Sequence, residues 1–207
     1  MYTSRRGANM LEKMVNSIVT QMSDEKLIEE SQKENYVYAL LTLTEKIITV
    51  GTIIGISICM ERFISTVLFL LLFLKLRKRT GGFHFDDFLT CYFGTIFSYL
   101  MIVFVSELLV NNQGILFGML TVSIGIIEWI GTVNHPNIHM TDNELARAKQ
   151  AARIIVLIEA MLIFCFLTLG IEIIYIVNMS AAIILCAILL CVAKIKKQEV
   201  LTNEENE

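Results

Sequence analysis

The feature that most constrains the fold is a set of long apolar runs separated by short polar segments. Hydrophobic residues make up 55% of the 207-residue chain, and the mean hydropathy is +0.65. A helix needs about 20 apolar residues to cross a bilayer, and inside lipid every backbone polar group must be satisfied within the protein. The composition therefore predicts an all-α membrane bundle. Four runs come close to spanning length: Cys91 to Val110, Gly114 to Val133, Ile154 to Gly170 and Ile173 to Ala193.

The earlier run from Ile47 to Leu74 is too long for one span and slightly short for two. Its only charges are the adjacent Glu61 and Arg62. Cations precede and follow the run, and loops rich in Lys and Arg stay in the cytoplasm. The run therefore predicts two spans that turn at Met60 to Arg62, with the first extended back over Tyr36 to Leu43.

The complete prediction is a polytopic bundle of about six transmembrane helices with both ends in the cytoplasm. Residues 1–35 form an N-terminal cytoplasmic or interfacial segment, because apolar residues recur at helical spacing from Met10 to Leu27. Residues 36–195 form one transmembrane domain, and residues 196–207 form a cytoplasmic tail. The segment 77–91 then lies on the cytoplasmic side of the cell membrane.

Several classes of function are disfavoured by composition. The net charge is -3, and the basic residues gather beside apolar runs, where they set orientation, so we expect no nucleic-acid partner. The cysteines are five, an odd number, and four lie inside apolar runs, which argues against a disulfide framework. No cleavable signal peptide, phosphate-binding glycine loop or zinc-protease helix motif is visible. We predict no cofactor and no metal.

The stretch RKRTGGFHFDDFLTC, residues 77–91, holds the candidate chemistry. A cysteine is nucleophilic as the thiolate, which a neighbouring imidazole, cations or a helix N-terminus stabilise. His84 and Cys91 could form this pair. On a continuous helix their spacing of seven would leave them about 10 Å apart, too far for proton transfer.

If the two residues work together, the backbone between them must bend or leave helical geometry. Gly81 and Gly82 are suited to such dihedrals. Irregular backbone at membrane depth must be buried in protein or face water, so the segment is expected to line an aqueous pocket. The alternative is ordinary: a juxtamembrane histidine and a cysteine at the start of a span.

Other titratable residues are weaker candidates. Asp86 or Asp87 could orient the His84 ring, although solvated loop charges are the simpler interpretation. Glu128, near the cytoplasmic end of a span, could reach His84 or make an interhelical hydrogen bond. Glu159 lies near a span end and is expected to be interfacial.

The residues of this stretch resemble the accessory gene regulator B (AgrB) family. That family has an arginine seven before the histidine, a glycine two before it and a cysteine seven after it, as Arg77, Gly82, His84 and Cys91 have here. The stretch NHPNIHMTDNEL, Asn134 to Leu145, is similar to a proline-containing turn after the fourth span. It departs from the family at residues 138–140, where a basic residue and proline are common, which puts the peptide specificity in doubt.

The resemblance implies a membrane cysteine endopeptidase of quorum sensing. Cys91, activated by His84, would cleave a small AgrD-like propeptide through a thioester acyl-enzyme and support closure of a thiolactone or lactone ring. Arg77, Lys78 and Arg79 could bind an acidic C-terminal segment of that propeptide, or serve only as orientation signals. A homodimer within the lipid bilayer is a further expectation.

Two alternatives stay open from the sequence. A non-enzymatic membrane transporter or scaffold would explain Glu128 and the glycine-interrupted spans. A metallohydrolase would use His84, His135 and His139, but Pro136 intrudes between the last two, and this favours a turn.

Overall fold

The structure is a computed structural model, and it describes residues 9–81, 88–133 and 141–196. Within these ranges the protein is all-α, with no strand. Seven α-helices follow one another along the chain: α1 (Asn9–Asp24), α2 (Lys33–Cys59), α3 (Phe63–Thr80), α4 (Phe88–Asn111), α5 (Gln113–Ile130), α6 (Asp142–Thr168) and α7 (Ile173–Ile195). A short 3-10 helix, Glu30–Gln32, precedes α2. The predicted fold class, an all-α polytopic bundle, is confirmed.

Five of these helices are long and apolar enough to cross a membrane, namely α2, α4, α5, α6 and α7. The third helix, α3, does not meet this standard, because its apolar part ends at Leu74 and basic residues fill its last turns. Lysine and arginine at a helix end can extend toward the membrane surface, so a shorter apolar core is tolerable. The sixth span therefore stays a prediction.

The turn predicted at Met60 to Arg62 is present between α2 and α3. The Arg62 backbone N–H donates to the Ser57 carbonyl at 2.8 Å, and Glu61 has a positive φ of 58°. The Arg62 guanidinium then pairs with the Glu107 carboxylate at 2.8 Å. This ion pair ties the beginning of α3 to the later part of α4.

The chain divides into two compact units, residues 1–56 with 85–99 and residues 57–84 with 100–207. In the first unit, Val15 and Val19 of α1 are buried against Leu41 of α2. The predicted amphipathic spacing in residues 10–27 thus corresponds to a helix, and its apolar face packs on α2. In the same unit the Tyr92 hydroxyl of α4 donates to Thr52 of α2 at 3.1 Å.

The core of the second unit is α7, which packs most extensively against α3 and α5. Its middle residues, including Met179 and Ile183, are fully buried. The sixth helix packs against α3, α5 and α7. It begins at a capping box in which the Thr141 hydroxyl and the Glu144 carboxylate bond reciprocally to each other's backbone N–H. These contacts make α3, α5, α6 and α7 one packed group.

Candidate active site

The candidate nucleophile Cys91 lies in the first turn of α4, which begins at Phe88. Its thiol is free and half-buried. The carbonyl of Cys91 accepts a hydrogen bond from the Thr95 hydroxyl at 2.8 Å, which fixes the backbone of this turn. Cys91 is thus the fourth described residue of α4, and its thiol is partly accessible from outside the helix.

The aromatic residues next to Cys91 restrain the same turn. Phe88 and Tyr92 have ring centroids 5.9 Å apart, and Tyr92 and Phe93 meet edge to face at 5.4 Å. Because the Tyr92 hydroxyl also bonds to Thr52, α2 holds this turn from one side. The described beginning of α4 is therefore held by contacts of these aromatic side chains and not by contacts of the Cys91 thiol.

Four of the predicted site residues lie outside the described part of the chain: Gly82, His84, Asp86 and Asp87. The distance between His84 and Cys91 therefore stays a prediction, as does any orienting role of the two aspartates. His135 and His139, which the metallohydrolase alternative needs, lie outside it too. What the structure does describe are the two helices on either side, α3 ending at Thr80 and α4 beginning at Phe88.

Gly81 ends α3 with a φ of 62° and a ψ of -130°, a conformation that L side chains rarely adopt. Its N–H still donates to the Arg77 carbonyl at 3.1 Å. The chain therefore leaves helical geometry at Gly81, the first of the two adjacent glycines.

The basic cluster at the end of α3 divides into two kinds of residue. The Arg77 guanidinium is half-buried and donates to the carbonyl of Gly81. Lys78 and Arg79 are exposed. Arg77 thus holds the end of the helix, whereas its two neighbours present their charges outward.

Glu128 lies two residues before the end of α5. The Arg153 guanidinium of α6 donates to the Glu128 backbone carbonyl at 2.8 Å. The Glu128 Oε1 atom is buried and has no hydrogen-bond partner in the described parts of the chain. Whether this carboxylate orients His84 stays a prediction.

Glu159 of α6 is a residue whose burial the sequence analysis missed. It is only 2% exposed, neither carboxylate oxygen has a hydrogen-bond partner among the described residues, and Lys75 of α3 attracts it electrostatically. It lies on the face of α6 that packs against other helices, and not at the membrane interface as predicted. The signal was available, because Glu159 shares a stripe with Val156 and Ile163 at helical spacing.

Comparison with known proteins identifies the family to which the chain belongs. The model of the family Accessory gene regulator B (AgrB) matches residues 11–195. No curated protein and no solved structure matches the chain. The AgrB family is known in the processing of quorum-sensing autoinducers and is associated with AgrD-like propeptides. The match covers nearly the whole chain, from Leu11 in α1 to the end of α7, and the chain is therefore a member of the accessory gene regulator B family and a multi-pass membrane protein.

Proposed function

We propose that this protein is a membrane cysteine endopeptidase that cleaves a small autoinducer propeptide through a thioester on Cys91. His84 takes the thiol proton, and the protein supports closure of the product to a thiolactone or lactone ring. The observation that carries the proposal is the position of Cys91: a half-buried free thiol in the first turn of a helix, in a chain of this family.

In the first step the Cys91 thiolate attacks the carbonyl carbon of the scissile peptide bond. When the C–N bond breaks, the new amine of the C-terminal fragment takes the proton that His84 received from Cys91. The N-terminal part of the peptide stays on Cys91 as a thioester.

In the second step a thiol or hydroxyl of the same peptide attacks that thioester. The attacking thiol or hydroxyl gives its proton to His84, its sulfur or oxygen bonds to the acyl carbon, and the ring closes. The bond from that carbon to the Cys91 sulfur breaks, and Cys91 leaves with the proton that His84 took up. Exchange between two thioesters is close to neutral in free energy, so the ring survives only where water is kept from the acyl-enzyme. Attack within one bound peptide gains from a high effective concentration.

The substrate-binding part of the proposal concerns the end of α3. Lys78 and Arg79 are exposed and suited to bind an acidic C-terminal segment of the propeptide, whereas Arg77 contributes by holding Gly81. By the positive-inside rule this end of α3 faces the cytoplasm, where a newly made propeptide is found. A homodimer in the bilayer stays a prediction.

The decisive experiment is intact mass spectrometry of the purified protein in detergent after incubation with a synthetic AgrD-like propeptide. We expect an adduct with the mass of the N-terminal peptide fragment. It should be labile to hydroxylamine, present in Cys186→Ala and absent in Cys91→Ala. Thiol alkylation should stop cleavage, whereas a chelator should not, which separates this function from a metallohydrolase.

The opposite result is equally informative. If folded wild-type protein forms no adduct and cleaves no peptide, the cysteine mechanism is wrong. The transporter or scaffold that the sequence left open, with Glu128 and the glycine-interrupted spans as its support, would then be the better explanation.

A further inference from the structure

The ends of α3 and α5 meet at one buried point. The Val133 backbone N–H, just after α5, donates to the Thr80 carbonyl at the end of α3 over 3.2 Å. Thr80, Thr132 and Val133 are all at most 2% exposed. We call Thr80 and Gly81 together with Gly131, Thr132 and Val133 the stem junction. In the sequence, residues 82–87 come directly after Gly81 and residues 134–140 directly after Val133.

Glycine is required on the α3 side of the stem junction. With a φ of +62°, Gly81 has a backbone conformation that strains any L side chain. A Cβ at this position would also lie 3.1 Å from the Val133 carbonyl oxygen, which is backbone and cannot move aside by rotating. The carbonyl of Gly81 is held by the Arg77 guanidinium.

Glycine is required on the α5 side as well. Gly131 has a φ of +73°, and a Cβ there would lie 2.9 Å from Cγ and 3.0 Å from Cβ of Lys149 on α6. One turn further along α6, Arg153 donates to the Glu128 carbonyl at 2.8 Å. The sixth helix therefore fixes the end of α5, and the end of α5 fixes the end of α3.

We propose that the stem junction is a positioning element for peptide cleavage. It sets the point from which the chain runs to His84, three residues after Gly81, and Lys149 and Arg153 of α6 hold it in place. This inference rests on the proposed function. Proton transfer needs heavy atoms about 3 Å apart, so a displacement of about 1 Å at the junction should slow the acylation of Cys91 strongly.

Substitutions of glycine by alanine test this with a matched control. Gly81→Ala and Gly131→Ala disturb the junction, whereas Gly118→Ala adds the same methyl group on α5 at a position with nothing within 4 Å. The measurements are kcat and KM for a synthetic propeptide. A second measurement is alkylation of Cys91 by iodoacetamide at about pH 6.5 and about pH 9, in a background where the other cysteines are alanine.

We expect Gly81→Ala and Gly131→Ala to lower kcat by about tenfold or more and to change KM by less than about threefold. Alkylation at the lower pH should fall toward that of His84→Ala, because His84 no longer supports the thiolate. Gly118→Ala should stay within about twofold of wild type in all three quantities. If neither glycine variant folds, Arg153→Ala, which removes the hydrogen bond to Glu128 without adding an atom, takes their place.

Two results would overturn the inference, and a third would overturn the proposed function on which it rests. Glycine variants that cleave as fast as Gly118→Ala would show that the junction does not position His84. Slow cleavage with wild-type alkylation at both pH values would show that the effect acts elsewhere. If His84→Ala itself cleaves normally, the proposed function fails before the junction is in question.

Discussion

The first turn of α4 and the interior formed by α3, α6 and α7 each contain a free cysteine, and the two thiols have opposite surroundings. Cys91 is half-buried in a first helical turn. Cys186, in the middle of α7, is fully buried, and its Sγ lies 3.8 Å from the Phe73 carbonyl oxygen. A buried thiol of this kind acts as a small hydrophobic group, whereas a reactive thiol must be reachable by its reagent or substrate.

The difference teaches that cysteines of one chain differ in burial, and the proposed function assigns the nucleophile to the more accessible of these two. Cys186 is fully buried in the middle of α7, whereas Cys91 is half-buried near the described beginning of α4. The predictions below test this contrast, beginning with the largest expected effect.

The largest effect is expected on propeptide cleavage. Cys91→Ala should lower the cleavage rate by at least about 10³-fold, because the nucleophile is lost, and Cys186→Ala should stay within about threefold of wild type. The measurement is product formation by purified variants of equal folded content. Substantial cleavage by Cys91→Ala would remove the basis of the comparison.

The second effect is on thiol reactivity. In the folded protein, iodoacetamide should modify Cys91 at least about 100-fold faster than Cys186, because only a thiolate reachable by the reagent reacts. Peptide mapping after timed labelling gives both rates in one sample, and labelling in denaturant shows that both sites are detected. Equal rates in the folded state would contradict the assigned difference.

The third effect concerns stability of the buried region. Glu159 has two buried carboxyl oxygens without hydrogen-bond partners in the described residues, so burial of this polar group adds little to stability. Glu159→Met should therefore leave the thermal stability in detergent unchanged or raise it, by about 1 kcal/mol. As a control, Val156→Ala on the same face should lower it by about 1–3 kcal/mol. A large loss in Glu159→Met would indicate that the attraction to Lys75 holds α3 and α6 together.

The smallest effect is expected at the exposed end of α3. Changing Lys78 and Arg79 together to glutamine should raise KM for a propeptide with an acidic C-terminal segment by about threefold to tenfold and leave kcat nearly unchanged. Higher salt should reduce the difference, because exposed charges are screened. An unchanged KM would leave these residues as orientation signals only.

Much of the fold could be predicted from the sequence because lipid leaves the backbone few choices. The four later apolar runs predicted α4, α5, α6 and α7, and the charges at Glu61 and Arg62 predicted the turn between α2 and α3. The candidate nucleophile was predicted from spacing and family resemblance, and the structure adds that Cys91 lies in a first helical turn.

The burial of Glu159 and the stem junction were not predicted, for a physical reason. A sequence pattern shows which face of a helix is apolar, but not which helix covers that face. The prediction that Glu159 lies at the membrane interface is wrong for this reason. The hydrogen bond from Val133 to Thr80 joins residues far apart in the chain, and local periodicity contains no information about such pairs.

The sequence by itself thus determined the helices, the turn after α2 and the candidate chemistry, because hydropathy, charge and residue spacing are local properties. The tertiary structure alone decided that α6 fixes the ends of α5 and α3 and that Gly81 and Gly131 have positive φ angles against close neighbours. Those features depend on how helices pack, and packing is determined by shapes that meet only in the folded chain.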